Sequence, residues 1–273
     1  MDQPNTQADP VRDRRLDGKI AFITGGGSGI GRATALLMAR HGAKVGFVGR
    51  TRDELEEVQH EIERGGGEAL ALVADISSPE AIEAAIQQTA ARWGKLDIVF
   101  ANAGINGVLA PIEDMQVSDW EKVIGINLKG TFLTVKYAIP LLKTHGGSVI
   151  ITSSINGNRV FSNFGFSAYS TSKAGQVAFM KMAALELAPF KIRVNAICPG
   201  AIETKIGENT RHTPELEKIQ IPVEFPEGSQ PLEDGPGSAQ QVAQLALFLG
   251  SDDSSHITGT DIYIDGAESL IRG

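Results

Sequence analysis

KIAFITGGGSGIG, residues 19–31, is the stretch that decides the fold of this chain. Its first part, Ile20–Thr24, is an apolar and β-branched run that predicts a buried strand. Glycines follow, and the apolar pattern of Ile30–His41 then predicts a helix. Such a turn presents free backbone N–H groups at the positive end of the helix dipole, where they bind phosphate anions. Strand, glycine-rich turn and helix in this order favour a dinucleotide-binding unit over a simple tight turn.

Short apolar runs alternate with longer helical patterns along the rest of the chain, which is typical of βαβ units and a parallel sheet. The runs are almost continuously apolar, as expected where helices cover both faces of a sheet. We therefore expect an α/β fold with a doubly wound sheet. The predicted strands are Ile20–Thr24, Lys44–Val48, Ala69–Val73, Leu96–Ala101, Ser148–Thr152, Arg193–Ile197 and Asp261–Ile264.

Helix starts are marked by side chains that can cap an N-terminus. Thr51, Ser118 and Ser238 are each followed three residues later by Glu or Gln, which is the pattern of a capping box. Ser78 precedes Pro79, and proline suits the first position of a helix. We therefore expect helices to begin at these four places.

Length and composition limit the classes of function. The chain has 273 residues, of which 42% are hydrophobic and 21% are charged, and we expect one globular domain over residues 16–273. A net charge of −8 and a pI of 5.2 argue against nucleic acid or an anionic membrane as the main partner. The single cysteine, Cys198, excludes an intrachain disulfide, and the scattered histidines give no metal-site pattern.

Two segments depart from the regular pattern. Residues 1–15 are polar, of mixed charge and without the apolar core of a secretory signal, so they predict a disordered tail. Residues 203–237 are rich in Pro, Glu and Gly, and a connection of that length is seldom kept without a function. We interpret it as a substrate lid. Since no apolar run approaches the ~18 residues that cross a bilayer, we expect a cytoplasmic protein in a reducing compartment.

Tyr169 and Lys173 stand four residues apart in the run AYSTSK, residues 168–173. On a helix this spacing places both side chains on one face, with their Cβ atoms about 5–6 Å apart. The ammonium can then stabilise the phenolate and lower a phenol pKa that is ordinarily about 10. A phenol tuned in this way can donate a proton to a carbonyl or accept one from an alcohol. The motif is short, and it indicates catalysis only together with the phosphate-binding turn.

Several motifs, in this order along the chain, resemble those of the short-chain dehydrogenase/reductase family. They are Thr24-Gly25-Gly26-Gly27-Ser28-Gly29-Ile30-Gly31, Asp75, Asn102-Ala103-Gly104, Asn127, Ser154, Tyr169 with Lys173, and Pro199-Gly200 with Thr204. The resemblance extends over about residues 18–266. It implies a single-domain Rossmann fold whose seven parallel strands have the order 3-2-1-4-5-6-7, with helices on both faces.

The resemblance also implies a nicotinamide dinucleotide as cofactor. A basic residue after the second strand suits the 2′-phosphate of NADP(H), whereas an acidic residue suits the ribose hydroxyls of NAD(H). Arg50 and Arg52 stand there, so we expect NADP(H) to be preferred, with NAD(H) as the alternative and with two solvated arginines as the alternative interpretation. The expected cofactor contacts are Gly25, Gly27, Ser28, Gly29, Ile30, Gly31, Arg50, Arg52, Asp75, Ile76, Asn102, Ala103, Gly104, Tyr169, Lys173, Pro199, Gly200, Ile202 and Thr204.

By the same resemblance, four residues carry the catalysis and no metal takes part. Tyr169 is the general acid/base, and Lys173 lowers its pKa and binds the nicotinamide ribose. Ser154, chosen over Ser153 because it fits the family's Ser-x-x-Gly register, positions the substrate oxygen, and Asn127 holds a water that links Lys173 to solvent. Two donors aimed at a carbonyl oxygen would stabilise the charge that hydride transfer builds there.

The expected substrate is a small ketone or secondary alcohol. The loop Asn158–Phe166 is enlarged relative to the family and adjoins the substrate. Its three phenylalanines predict an apolar pocket wall and Arg159 predicts an anion contact, with packing under a surface loop as an equal alternative. Two other functions stay open, namely a non-catalytic nucleotide-binding regulator and an epimerase or dehydratase that uses bound cofactor.

The resemblance further implies a homotetramer, and closed symmetric assemblies are the rule for oligomers. We expect helices Ser118–Lys143 and Tyr169–Leu187 at one interface, and the helix Ala239–Leu249 with the strand Asp261–Ile264 at the other. Cys198 has no histidine partner beside it in the sequence, so we interpret it as a small buried residue rather than a nucleophile.

Overall fold

A seven-stranded sheet forms the centre of the computed structural model, which describes residues 14–221, 230–232 and 235–272. Its strands are β1, Ile20–Thr24; β2, Lys44–Gly49; β3, Glu68–Val73; β4, Ile98–Ala101; β5, Gly147–Thr152; β6, Ile192–Pro199; and β7, Asp261–Ile264. All neighbouring strands are parallel, in the order β3-β2-β1-β4-β5-β6-β7. This confirms the predicted fold class and strand order.

Helices cover both faces of the sheet, and each face has its own core. The helices are α1, Gly29–Arg40; α2, Arg52–Arg64; α3, Pro79–Trp93; α4, Val117–Val123; α5, Gly130–Leu142; α6, Ser167–Leu187; α7, Ala239–Gly250; and α8, Glu268–Arg272. Apolar residues of α1, α2 and α7 share one core with Phe47 and Phe100, and those of α3, α5 and α6 share the other with Phe22 and Val149. Burial of the strands on both faces explains why their sequences are almost continuously apolar.

The ends of the elements agree closely with the pattern in the sequence. All seven strands begin and end within two residues of their predicted limits. Ser78 and Ser238 each accept a hydrogen bond from the backbone N–H of the third residue of their helix, whereas Thr51 precedes α2 without a side-chain cap bond. The start predicted at Ser118 is wrong, because the helical backbone already begins at Val117.

A π-helical turn, Ile124–Lys129, joins α4 to α5. The single helix expected over Ser118–Lys143 is therefore three consecutive helical segments. A π turn widens the helix locally and changes the direction in which its residues point, and such turns are frequent at functional sites. Asn127 lies in the middle of this one.

The described part of the predicted lid is held by two short parallel pairs of residues. Ile202–Glu203 pairs with Gly237–Ser238, and Arg211–His212 pairs with Val108–Leu109 in the loop after β4. Residues 222–229 and 233–234 of the predicted lid lie outside the described residues. The two ends of the predicted lid thus pair with each other, and its first third pairs with the loop after β4.

Residues 1–13 of the predicted tail also lie outside the described residues. The two residues that follow form ion pairs, Arg14 with Asp17 at 2.9 Å and Arg15 with Asp253 at 3.3 Å. Among the helices of the described ranges, we find none that is both long and apolar enough to cross a membrane.

Candidate active site

A cleft of about 840 Å³ lies at the carboxyl ends of the strands, around the point where the sheet order reverses between β1 and β4. In open α/β sheets this is where ligands bind. The cleft brings together every predicted site residue except Gly31, Arg52 and Asn127. The predicted residues that line it are Gly25, Gly27, Ser28, Gly29, Ile30, Arg50, Asp75, Ile76, Asn102, Ala103, Gly104, Ser154, Tyr169, Lys173, Pro199, Gly200, Ile202 and Thr204.

The glycine-rich turn forms one wall of the cleft. Gly25 has a φ of +70°, a left-handed conformation that suits glycine. Ser28 is the N-cap of α1 but makes no side-chain cap bond, so the first N–H groups of α1 are left for an anion. Gly31 does not line the cleft, and a Cβ there would collide with the backbone carbonyl of Gly25. Its contribution is the close packing of α1 under the turn.

Arg50 and Asp75 line the end of the cleft that follows β2 and β3. Asp75 accepts hydrogen bonds from the backbone N–H and the hydroxyl of Ser77, at 2.9 and 2.7 Å. These bonds, together with the charge of Arg50, hold the pKa of the Asp75 carboxyl below its ordinary value. Arg52 pairs with Glu56 one turn along α2, at 3.6 Å, as expected of a solvated residue at a helix start.

Asn102 joins the ends of three strands. Its backbone N–H donates to Thr24 Oγ1 at 2.9 Å, and its side-chain amide donates to the Thr24 carbonyl at 3.1 Å. Its side-chain carbonyl accepts from Thr152 Oγ1, also at 3.1 Å. The Asn102-Ala103-Gly104 segment is thus fixed against β1 and β5, which gives the middle of the cleft a rigid wall.

Helix α6 carries Tyr169 and Lys173 into the cleft, one turn apart. Both side chains are buried, and Tyr169 is hydrogen-bonded to Ser154. Lys173 Nζ donates to the carbonyl oxygen of Thr152 at 2.8 Å and lies 5.5 Å from the centroid of the Tyr169 ring. The ring of Phe166 packs edge-on against Tyr169, with the two centroids 5.6 Å apart.

Burial decides the protonation of both side chains. It raises the pKa of Tyr169 to about 12, although the hydrogen bond with Ser154 acts in the opposite direction. It lowers the pKa of Lys173 to about 8, because a buried ammonium has lost its water. The expected lowering of the Tyr169 pKa is therefore wrong for this structure, where loss of solvation is the largest effect. At neutral pH Tyr169 is a neutral phenol and can act as a proton donor.

The adjacent serines have different partners. The Ser153 hydroxyl donates to the backbone carbonyl of Lys173 at 2.9 Å, which holds α6 against the end of β5. Ser154 Oγ instead accepts a hydrogen bond from the backbone N–H of Asn156 at 3.2 Å. The proton of Ser154 is left for Tyr169 or for a substrate oxygen, and this suits Ser154 rather than Ser153 as the substrate-binding hydroxyl.

Asn127 lies behind the cleft and is fully buried in the π turn. Its side chain accepts from the N–H of Ile105 and donates to the carbonyl of Ile105, both at 2.9 Å, and donates to Ser172 Oγ at 3.0 Å. Gly104 lies between Asn127 and Lys173 of α6. A Cβ at Gly104 would be 3.2 Å from Asn127 Oδ1 and 3.5 Å from Lys173 Nζ. The missing side chain leaves a gap between these two polar atoms.

Most side chains of the enlarged loop Asn158–Phe166 do not make the cleft contacts that the sequence predicted for them. The guanidinium of Arg159 stacks on Tyr263 at 3.4 Å from the ring centroid and does not line the cleft, so the predicted anion contact is wrong. Of the three phenylalanines in the loop, only Phe166 lines the cleft, and Phe161 lines a separate apolar groove. The predicted apolar wall is reduced to one ring.

Comparison with known proteins agrees with this geometry. The profile of a family described as Enoyl-(Acyl carrier protein) reductase matches residues 25–267. The chain is 35% identical to a short-chain type dehydrogenase/reductase from Mycobacterium marinum, with a TM-score of 0.83 and with 94% of this chain and 97% of that one covered. This chain belongs to the short-chain dehydrogenase/reductase family.

Two further relatives of this family are similar over almost their whole length. A 3-ketoacyl-ACP reductase from Sinorhizobium meliloti 1021 is 49% identical, with a TM-score of 0.88 and with 93% of this chain and 100% of that one covered. The 3-oxoacyl-[acyl-carrier-protein] reductase of Thermotoga maritima is 37% identical, with 92% of this chain and 98% of that protein covered. The chain is accordingly an NAD(P)-dependent short-chain oxidoreductase that acts on alcohols and ketones.

The cleft fits the cofactor that this family uses. Its size, the free N–H groups at the start of α1 and the close glycine packing suit a long anionic dinucleotide that lies against the turn. Within the described ranges, no cluster of His, Cys, Asp and Glu could hold a metal ion. Cys198 is buried, and burial raises the pKa of its thiol to about 12, so it stays neutral and unreactive at neutral pH.

Sequence reasoning missed several residues that line the cleft of this short-chain dehydrogenase/reductase. Asn156 stands two residues after Ser154, and this short separation is the only feature of the sequence that could have marked Asn156 as a cleft residue. No motif marks Glu268, which lies in the last helix. Others that were not predicted are Glu54, Asn106, Lys205, Asn209 and Arg272.

Three contacts made by these residues hold the segment after β6 and the C-terminal helix at the cleft. Lys205 Nζ lies 3.3 Å from Glu54 Oε1, so an ion pair links the start of the predicted lid to α2. Buried Glu268 accepts hydrogen bonds from the backbone N–H of Ala201 at 2.9 Å and from the side chain of Gln230 at 3.1 Å. The loop after β6 is therefore held from both sides.

Proposed function

We propose that the protein is an NADP(H)-preferring enzyme that interconverts a ketone and a secondary alcohol, with Tyr169 as general acid/base. The observation that carries this proposal is the convergence of Ser154, Tyr169 and Lys173 in the cleft that the glycine-rich turn also lines. When bound, the cofactor supplies or accepts the hydride at its nicotinamide ring. The residues of the chain supply the proton and hold the substrate oxygen.

The protonation states support proton donation in the direction of ketone reduction. In ketone reduction, negative charge builds on the substrate oxygen, and the hydroxyls of Ser154 and Tyr169 stabilise it as an oxyanion hole would. Tyr169 is neutral at pH 7 because its pKa is raised to about 12, so it has a proton to give. Lys173, with a pKa lowered to about 8, is mostly cationic at that pH and can restore the proton. Alcohol oxidation needs the Tyr169 phenolate as the base, and a pKa raised to about 12 disfavours the phenolate at pH 7, so we expect oxidation to become faster as the pH rises.

We assign to Asn127 the role of a positioning residue. The gap at Gly104 separates its Oδ1 from Lys173 Nζ, and a water placed there would bridge the two groups and connect Lys173 to solvent. The hydrogen bonds from Asn127 to Ile105 and Ser172 fix the carboxamide in that position. The π turn supports this role, because it turns Asn127 inward.

The preference for NADP(H) is proposed from Arg50. This guanidinium lines the cleft beside the position of the adenosine ribose in the family, and no carboxylate follows β2 directly. A guanidinium binds a phosphate through two parallel hydrogen bonds, which favours a 2′-phosphate over a hydroxyl. Arg52 is left out of this proposal because its partner is Glu56.

We also propose a homotetramer in the cytoplasm. Large apolar side chains stand on the surface of the expected first interface, with Phe132 on α5 44% exposed and Met182 and Leu185 on α6 65% and 75% exposed. An apolar patch of this kind favours association with a second copy. Light scattering at micromolar concentration is expected to give four times the 29.0 kDa mass of one chain. A monomer mass would overturn the assembly without affecting the catalytic proposal.

Replacement of Tyr169 by Phe tests the catalytic proposal. It keeps the ring and removes the proton donor, so kcat for ketone reduction should fall by about 100-fold or more. Tyr137→Phe is the matched control, because Tyr137 packs on the core and does not line the cleft, and its kcat should change by less than about twofold. Unchanged turnover in Tyr169→Phe would contradict the proposed catalytic role of Tyr169. Assays follow the absorbance of NADPH, so that a reaction without net cofactor oxidation is also recognised.

A further inference from the structure

Carboxamide side chains line the cleft that also holds Ser154 and Tyr169. Asn106, Asn156, Asn163 and Asn209 all line it, and we call this set the carboxamide pocket. They come from four different segments: the loop after β4, the turn after β5, the enlarged loop and the lid. Phe166 is the one aromatic ring beside Tyr169 in the cleft, and isoleucines such as Ile105 and Ile155 line it together with the carboxamides.

A hydrogen-bonded chain connects the carboxamide pocket to the catalytic serine. Asn163 Nδ2 donates to Asn156 Oδ1 at 2.7 Å, which fixes the orientation of the Asn156 carboxamide. The Asn156 amide group then faces Ser154 Oγ at 3.5 Å, while its backbone N–H donates to the same oxygen at 3.2 Å. Ser154 therefore accepts two hydrogen bonds, and its own proton is directed elsewhere, towards Tyr169 or a substrate oxygen.

The carboxamides keep unused hydrogen-bonding capacity on the side of the cleft. Each carboxamide has two N–H donors and an oxygen with two lone pairs. The bonds described above use one donor of Asn163, and they leave its carbonyl oxygen and second N–H free. Asn106 donates to Thr210 Oγ1 at 3.0 Å, which leaves its carbonyl oxygen free. Donors and acceptors next to one another match hydroxyl groups, since a hydroxyl both donates and accepts.

The charges at this end of the cleft disfavour an anionic substrate. Arg159 is stacked on Tyr263 and does not line the cleft, so the enlarged loop contributes no cation. Glu208 lines the cleft and adds a negative charge, whereas the cations Lys205 and Arg272 that also line it are paired with Glu54 and Glu268. An apolar substrate is disfavoured as well, because it would cover the free carboxamide groups without offering them a hydrogen bond.

We propose that the substrate is an uncharged polyhydroxy compound, such as a polyol or the corresponding hydroxyketone, whose hydroxyl beside the reacting carbon binds Asn163 and Asn156. This inference rests on the ketone/alcohol function proposed above and specifies its substrate class. The reaction remains balanced: a secondary alcohol and NADP⁺ give the ketone, NADPH and one proton. Asn163 and Asn156 recognise the neighbouring hydroxyl and take no part in the proton transfer.

Two series of alcohols of constant carbon skeleton test the inference. One is cyclohexanol, 1,2-cyclohexanediol and inositol, and the other is 2-butanol, 2,3-butanediol and erythritol, each assayed with NADP⁺. In the series that fits the pocket, kcat/KM is expected to rise at least tenfold from the mono-alcohol to the polyol, because a site built for hydroxyls discriminates strongly against analogues that lack them. A kcat/KM that is equal or higher for the mono-alcohol in both series would overturn the proposal.

The Asn163→Leu variant tests whether Asn163 causes the preference for the polyol. It keeps the size of the side chain and removes its polar groups, so the preference for the polyol over the mono-alcohol should fall at least tenfold. The preference is the ratio of the two kcat/KM values, so a loss passed through Asn156 to Ser154 affects both substrates and cancels in the ratio. Asn158→Leu, in the same loop but outside the cleft, is the matched control and should retain the polyol preference. An unchanged preference in Asn163→Leu would count against the proposal, and circular dichroism of both variants monitors their folding.

A binding measurement separates this inference from the proposed function. Calorimetric titration of polyol and mono-alcohol into the wild-type protein with saturating NADP⁺ is expected to show tighter binding of the polyol. Tighter polyol binding without any turnover would support the substrate class and reject the catalytic function. Binding of both alcohols with equal affinity would reject the substrate class, whatever the turnover.

Discussion

Glu268 Oε2 accepts a hydrogen bond from the backbone N–H of Ala201 at 2.9 Å, which ties the last helix of the chain to the loop after β6. The contact is close, since a Cβ on the neighbouring Gly200 would lie only 2.7 Å from the same oxygen. We propose that this loop holds the nicotinamide end of the cofactor, as the resemblance of Pro199, Gly200 and Thr204 to the family motif implies. Glu268 is thereby a positioning residue for that end alone.

Replacement of Glu268 by Ala should weaken the binding of NADPH about tenfold while 2′-phospho-ADP-ribose, which lacks the nicotinamide, keeps its affinity within about twofold. The expected loss corresponds to about 1.4 kcal/mol, a usual value for one hydrogen bond to a charged group. Calorimetry measures both ligands. Glu268→Gln should recover part of the loss, because its carbonyl oxygen can still accept from Ala201, and Glu83→Ala on the exposed side of α3 is the control. Equal losses for both ligands would point to general unfolding of the cleft instead.

Arg50→Asp should reverse the cofactor preference. Removal of the guanidinium and introduction of a carboxylate are expected to lower the ratio of kcat/KM for NADPH to that for NADH by about 10- to 100-fold, because about 1.5–3 kcal/mol of phosphate binding is lost. Arg52→Asp makes the same charge change two residues away, outside the cleft, and should alter the ratio by less than about threefold. If the two variants shift the ratio equally, the effect is one of overall charge and the assignment of Arg50 fails.

The buried ammonium of Lys173 should make stability depend on pH. Its pKa falls from an ordinary 10.5 to about 8 on folding, so between those values the unfolded chain binds more protons than the folded one. The free energy of unfolding of the wild type, relative to Lys173→Met, should therefore rise as the pH increases from 8 to 10. Urea titrations at pH 7.5, 8.5 and 9.5 measure this difference, which should grow by about 1 kcal/mol or more. A difference independent of pH would contradict the lowered pKa.

Gly31→Ala should destabilise the protein and weaken cofactor binding together. The added methyl group would overlap the backbone carbonyl of Gly25, which has no flexible side chain to move aside. We expect a loss of about 2 kcal/mol or more in the free energy of unfolding, since overpacking against backbone is costly. Gly125→Ala is the control, because its Cβ would enter open space, and it should be neutral or slightly stabilising. A stable Gly31→Ala variant would show that the turn can move.

The local pattern of apolar residues was enough to locate the strands of the sheet. The strands β1 to β7 could be located because each is a short apolar run between helical patterns, and the family motifs supplied their order. Ser154, Tyr169 and Lys173 could be found for the same reason, since their spacing along the chain is itself the signal. Residues whose role depends on neighbours close in the sequence could be predicted from the sequence alone.

Properties that depend on contacts distant in the sequence were not within reach. The pKa of Tyr169 is raised chiefly by the burial of its side chain, which the spacing of Tyr169 and Lys173 does not reveal. The guanidinium of Arg159 stacks on the ring of Tyr263, more than 100 residues away in the sequence, and does not line the cleft. Glu268 reaches Ala201 across a separation of 67 residues. Each of these depends on tertiary packing, and no spacing rule predicts it.

The ion pair between Lys205 and Glu54 has a kinetic consequence. The pair spans from the segment after β6 to α2, beside the glycine-rich turn, so we expect a dinucleotide seated on that turn to leave faster when the pair is open. Both groups are partly exposed, and added salt screens such pairs. Stopped-flow measurements of NADPH release should therefore give a rate that increases with ionic strength in the wild type but less so in Lys205→Met. Cofactor exchange, rather than the hydride step, would then be the part of the cycle that responds to the salt content of the surroundings.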